Sequence, residues 1–248
     1  MTRIKKYFYE LGLLTRSVPP IVLALFILTV FSMNLLANKS INLPVDWLAL
    51  DCGMLISWVC FLIMDIITKH FGPKAATELS VIATLLNLAA CFVFYVVSLI
   101  DGEWSASFVT GSNSSAVINN ALDRTFGGTW YVIIGSAIAF ILSAAVNNFS
   151  NYLIGKVFKN SDKYSVYITR SYISTALGQF VDNLAFSFLV SHFFFGWSIL
   201  QCITCSLTGM AVELLCEVLF SRLGYKISTN WKKNKVGAEY LAYRLEKK

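Results

Sequence analysis

Charge is scarce in this chain: Asp, Glu, Lys and Arg make up 14 % of its 248 residues, where soluble domains carry about a quarter. That excludes an ordinary soluble domain. Histidine is rarer still. His70 and His192 fall at opposite predicted membrane edges and cannot share a metal, so no metal site is expected. No Ser–His or Cys–His pair is suggested, no HExxH occurs, and no Gly-rich phosphate loop is present. The chain is therefore read as a non-enzyme without a cofactor, and as one that does not itself hydrolyse ATP.

What is abundant is apolar sequence, 56 % of residues, with a mean hydropathy of +0.65. Six runs are long enough to cross about 30 Å of hydrocarbon: residues 18–37, 46–67, 79–100, 130–154, 171–192 and 197–221. The expected fold is an all-α integral membrane protein, one transmembrane domain of six helices over residues 1–248. The first run is too long for a signal-peptide core, and Asn34-Leu35-Leu36-Ala37-Asn38 is a poor cleavage site. It reads as a retained helix.

The net charge of +6 would suit nucleic acid, but its placement does not. Of the 20 Lys and Arg, all but Lys39 and Arg124 fall on one side of the six-span topology. Cytoplasmic loops carry that excess, so both termini are expected inside a cell membrane that the chain crosses several times. The segment 101–129 is then an external flap, with a little helix around Ala116–Leu122. The tail beyond 222 is either solvated or an amphipathic helix on the inner leaflet, anchored by Trp231 and Tyr240.

All six cysteines lie in predicted spans. Cys202 and Cys205 have redox or metal spacing, but no second pair completes it. They read as small packing residues between helices.

Polar side chains inside spans are costly, so they map any interior site. Asp182 lies about halfway along the fifth run. On a helix it shares roughly a quarter-turn arc with Ser171, Thr175, Gly178, Gln179 and Phe186. Phe180, Leu184 and Phe188 point elsewhere. Asp182 fits a structural polar clamp between helices or the wall of a substrate pocket, and the pocket is the favoured reading. Asn34, Asn87, Asn147, Asn148, Asn151, Asp51 and Asp65 add polar groups in other spans, as do Glu213 and Glu217, one turn apart in the sixth. Phe186 is the best candidate to stack on a planar ligand.

Three stretches carry a family resemblance. They are Asn34–Lys39, the segment Asp65-Ile66-Ile67-Thr68-Lys69-His70-Phe71-Gly72-Pro73-Lys74-Ala75-Ala76, and the run from Arg170 through Ser174-Thr175, Gly178-Gln179 and Asp182 to Phe186. Over residues 30–225 the order and spacing resemble the queuosine precursor transporter family, also called the vitamin-uptake or VUT family. The resemblance implies a fold like the substrate-binding subunits of energy-coupling-factor transporters. It implies import of 7-deazaguanine precursors of the tRNA base queuosine by a single chain. The runner-up is a substrate-binding subunit of an ATP-driven vitamin uptake system. The implied partners are a small deazapurine and the lipid bilayer, with a homodimer left open.

A deazaguanine edge offers N1–H and an exocyclic amine, which a carboxylate such as Asp182 accepts as paired hydrogen bonds. Gln179, Asn147 or Asn151 would serve its carbonyl, with Asn87 or Glu217 at a more distal group. Lys69 and Glu213 reverse the signs that relatives tend to carry, which suggests an ion pair between them.

Overall fold

The computed structural model describes residues 3–41, 43–104, 112–157 and 164–246, almost entirely helical. It falls into two compact units. One comprises Met1–Ser32, Leu55–Leu86 and Leu215–Lys248, the other Met33–Met54 and Asn87–Leu214. Among the described residues, five helical stretches are long and apolar enough to cross a membrane: Met54–Phe71, Pro73–Ser98, Ala116–Asn147, Tyr172–Phe195 and Ile199–Phe220. The bent pair at the N-terminus makes a sixth if it counts as one span.

In the first unit, helix α1 (Arg3–Ser17) meets α2 (Pro20–Leu36) at a bend of 103°. The cause is local. Proline at 19 pushes Val18 out of the helical region, and Pro20 starts α2 at a first-turn position where a missing N–H costs nothing. Helix α3 (Met54–Phe71) and helix α4 (Pro73–Ser98) meet at Gly72, whose φ of +94° suits only glycine. Lys74 joins this corner to α1, its Nζ 2.7 Å from Glu10 and 3.4 Å from Glu78.

In the second unit a two-residue antiparallel ladder, β1 (Ser40–Ile41) with β2 (Leu50–Asp51), leads into α3. The expected second span at 46–67 therefore starts too early. Residues 46–53 are turn and strand, and the carboxylate of Asp51 accepts the Gly53 N–H at 2.8 Å. An averaged hydropathy run passes over such a break because Trp47, Leu48 and Leu50 are apolar.

The expected external flap is also more ordered than its Ser- and Asn-rich composition suggests. Helix α5 (Ser112–Gly128) runs almost without interruption into α6 (Trp130–Val157). Trp104 secures α5: its backbone N–H donates to Asn119 Oδ1 (2.7 Å), its indole N–H to Asp123 Oδ1 (2.6 Å), and its ring stacks on Phe126.

Helix α7 (Tyr164–Phe186) passes into a π-helical turn at Ser187–His192 and then the short α8 (Phe193–Phe195). Gly196, in the left-handed region at φ +71°, ends it. The long α9 (Ile199–Lys233) begins in the second unit and ends in the first.

The tail departs most from expectation. Helix α9 continues twelve residues past the expected end at 221, and after a turn α10 (Ala238–Glu246) packs on α1. Trp231 and Tyr240 are interior residues of the first unit, not interfacial anchors. His70, Phe71 and Trp231 form an edge-to-face cluster, and Tyr240 meets Phe71 edge-on. The His70 Nε2–H donates to the Val236 carbonyl at 2.9 Å. Aromatic rings bury more area than any other side chain, so a partner within the fold outcompetes the lipid interface.

Gly237 holds this turn with φ +65°, and a Cβ there would lie 2.5 Å from Phe71 Cε1 and 2.9 Å from Ser17 Cβ. Gly237→Ala should cost about 2 kcal/mol or more, from left-handed strain and overpacking together. The expected result is faster limited proteolysis between α9 and α10 in purified protein. Unchanged protection would show that the turn does not hold the tail.

Candidate functional site

Helices α6 and α7 make the most extensive pairing in the second unit. Gly178 permits it: a Cβ there would stand 3.0 Å from Asn147 Cβ and 3.5 Å from the Ser143 carbonyl. Even alanine there would make a tight contact that Asn147 would have to yield to by a few tenths of an ångström. Asn147 of α6 is thereby set against α7 at Gly178, the residue before Gln179 and one turn before Asp182.

On the α7 face expected to be polar and inward, Gly178 and Gln179 are buried and Thr175, Asp182 and Phe186 are half-buried. Ser174 beside that face is buried too, while Ile173 and Leu177 are among the exposed apolar residues. Gln179 Oε1 and Asp182 Oδ1 are both shut off from solvent and have no hydrogen-bond partner among the described residues. Asp182 as a whole is half-buried, so one side of the carboxylate is sealed while the residue keeps some access. Two unsatisfied acceptors three residues apart on one face leave a demand for donors that a structural clamp would have met.

Asn87, on α4 in the same unit, is 1 % exposed, and its Nδ2 donor is likewise unpartnered. Thr175 is half-buried one turn before Gln179. Phe186 packs against the buried cluster of Ala37, Val132 and Val190, so apolar packing already accounts for part of its ring.

The other expected residues are spread over both units. Glu217 and Lys69 belong to the first unit and Glu213 to the second. The side chains of Glu217, Asn151, Asn148 and Asp65 lie outside the described residues.

Two residues outside the expected binding group emerge instead. Asn183, the neighbour of Asp182, donates its Nδ2–H to the buried Glu213 Oε2 at 3.1 Å. Gly209 makes room for it, since a Cβ on Gly209 would stand 2.9 Å from the Asn183 Nδ2. A glycine one turn before an in-span Glu was the available signal. Asp51 is the other. It is 8 % exposed, and burial lifts its carboxyl from the ordinary 3.8 to about 6, against the lowering effect of bonds from the Gly53 and Met54 N–H groups.

The π-helical turn follows directly on Phe186. Val190 presses on Gly135 of α6, Cys202 Sγ donates to the Ser187 carbonyl (3.4 Å), and His192 Nδ1–H donates to the Trp197 carbonyl (2.6 Å). Cys202 and Cys205 sit in an apolar cluster with Ala49 and Trp197, as packing residues do. Such turns often flank functional sites.

Residues 51–227 match the family described as "Putative vitamin uptake transporter". The chain belongs to this family. The match begins at Asp51 and takes in α3 through most of α9, including the polar face of α7, and it leaves out α1, α2 and α10. No curated protein and no solved structure matches the chain. As a member of the vitamin uptake transporter family with several apolar helices, the protein is a multi-pass membrane protein of the transporter class.

Proposed function

We propose that the protein imports queuosine precursors, 7-deazaguanine bases, and that the α7 face holds the base. The observation that carries this reading is the pair of buried acceptors without partners, Gln179 Oε1 and Asp182 Oδ1. A base with adjacent N1–H and exocyclic amine groups supplies the donors that Asp182 would take in pair. Asn147 beside Gly178, and the unpartnered Asn87 Nδ2, are candidates for its carbonyl. Thr175 would border the ring and Phe186 would wall it. The family's uptake role supports the direction of transport, and the distribution of Lys and Arg supports both termini facing the cytoplasm.

The test is uptake of labelled deazaguanine precursors by cells producing only this chain. Accumulation above vector controls, competed by unlabelled precursor, is the expected result. Co-purification with ATP-binding subunits, together with no uptake by the chain alone, would favour a binding subunit of an ATP-driven vitamin system. Absence of precursor binding to the purified protein would reject the deazaguanine reading.

A further inference from the structure

We propose that α1 is a membrane-surface helix whose outer face binds anionic phospholipid headgroups. Three observations within the first unit carry this. The first is orientation. Helix α2 is PIVLALFILTVFSMNLL, without one charged residue, and α1 leaves it at 103°. When α2 crosses the bilayer, α1 therefore runs nearly in the membrane plane.

The second is the division of its faces. Glu10 and Leu14, one turn apart, are buried at 3 % and 0 % exposure and anchor α1 to the protein. The adjoining side, roughly a third of a turn round the helix, carries Ile4, 69 % exposed, and Phe8, 64 % exposed, with the half-buried Leu11 completing an i, i+4, i+7 stripe. Lys5 and Arg16, both exposed, run along the edge of this stripe that faces away from Glu10 and Leu14. An apolar stripe bordered by cations is the pattern of helices that lie at the headgroup boundary.

The third is an electrostatic misfit. The first turn of α1 holds no acidic residue, and it places Arg3, Lys5 and Lys6 at the end where the helix dipole is positive. Cations there cost helix stability unless something negative lies opposite. Lys74 takes up Glu10, and Tyr9 of α1 meets Tyr243 of α10 edge-on. Anionic headgroups meet both the charge and the position of the remaining cations. Helix α1 lies outside the residues 51–227 that match the family and belongs to the first unit, whereas α7 belongs to the second.

Hydrogen–deuterium exchange on the full chain tests the proposal. The protein is placed in nanodiscs of phosphatidylcholine alone, or of an equal mixture with phosphatidylglycerol. Amides of α1 should exchange more slowly in the mixed discs, by roughly fivefold per engaged cation. High salt should remove most of that difference through screening. Lys5→Gln with Arg16→Gln should reduce it severalfold while leaving exchange in α7 unchanged, whereas Phe8→Ser should speed α1 exchange in both lipids. Equal α1 exchange in the two lipids would overturn the proposal, as would a lipid difference undiminished in the double variant. If the double variant does not fold, the salt dependence of the wild-type chain decides alone.

Discussion

Asp182→Asn is expected to lower precursor affinity about tenfold or more while leaving the protein folded. The substitution keeps the volume of the side chain and one acceptor oxygen. It replaces the other oxygen with an amide donor, which would face the donors of the base. Leaving a buried polar group unpaired costs on the order of 1–3 kcal/mol, and more for charged groups, which sets the tenfold floor. Asp182 Oδ1 has no partner among the described residues, so the native fold gives up no bond at that atom. A structural clamp predicts the reverse, lost monodisperse protein with affinity retained in whatever survives. Gln179→Ala should weaken binding less, because it removes one neutral acceptor. Binding measured on purified, monodisperse variants separates the cases, and wild-type affinity in a well-folded Asp182→Asn protein would remove Asp182 from the site.

The second large effect concerns stability against pH. Asp51 lies ahead of the span that begins at Met54, and its carboxyl is raised to about 6 in the folded chain from 3.8. The folded state therefore binds more protons than the unfolded state between these values. For a raised carboxyl the favourable contribution is full below about pH 4 and is lost as pH rises through about 6. Near neutrality the loss amounts to about 3 kcal/mol at most, from roughly two pH units at 1.36 kcal/mol each. Asp51→Asn keeps an oxygen for the Gly53 N–H and has no charge to desolvate. Melting of the detergent-purified variant should lie above wild type at pH 7.5 and should change less between pH 5 and 7.5. A variant as pH-dependent as the parent would assign the titration elsewhere.

Much of this arrangement was legible from sequence because a membrane demands long apolar runs and taxes every polar exception. The arc of Thr175, Gln179 and Asp182 followed from helical period alone. It survives in the structure because α7 is regular up to Phe186. Past that point the π-helical turn adds residues without advancing the α-helical phase, and no residue type announces it. The Asn183–Glu213 bond needs two helices to meet at Gly209, which periodicity within either helix cannot reveal. Trp231 and Tyr240 misled for another reason. An aromatic beside basic residues looks the same whether it faces a headgroup or the ring of Phe71, and only the turn at Gly237 decides between them. The strand at Leu50–Asp51 was concealed by apolar neighbours that fill the same averaging window.

The prolines at 19 and 20 carry a cost that falls on the lipid. By stopping α1 where they do, they leave α2 with 17 residues, which reach roughly 25 Å at 1.5 Å per residue, several ångströms short of an average hydrocarbon layer of about 30 Å. Helix α4, with 26 residues, has no such deficit. A bilayer that α2 crosses alone would thin beside it, at a fraction of a kcal/mol per ångström. Thin membranes would host this corner of the protein with less strain than thick, sterol-rich ones.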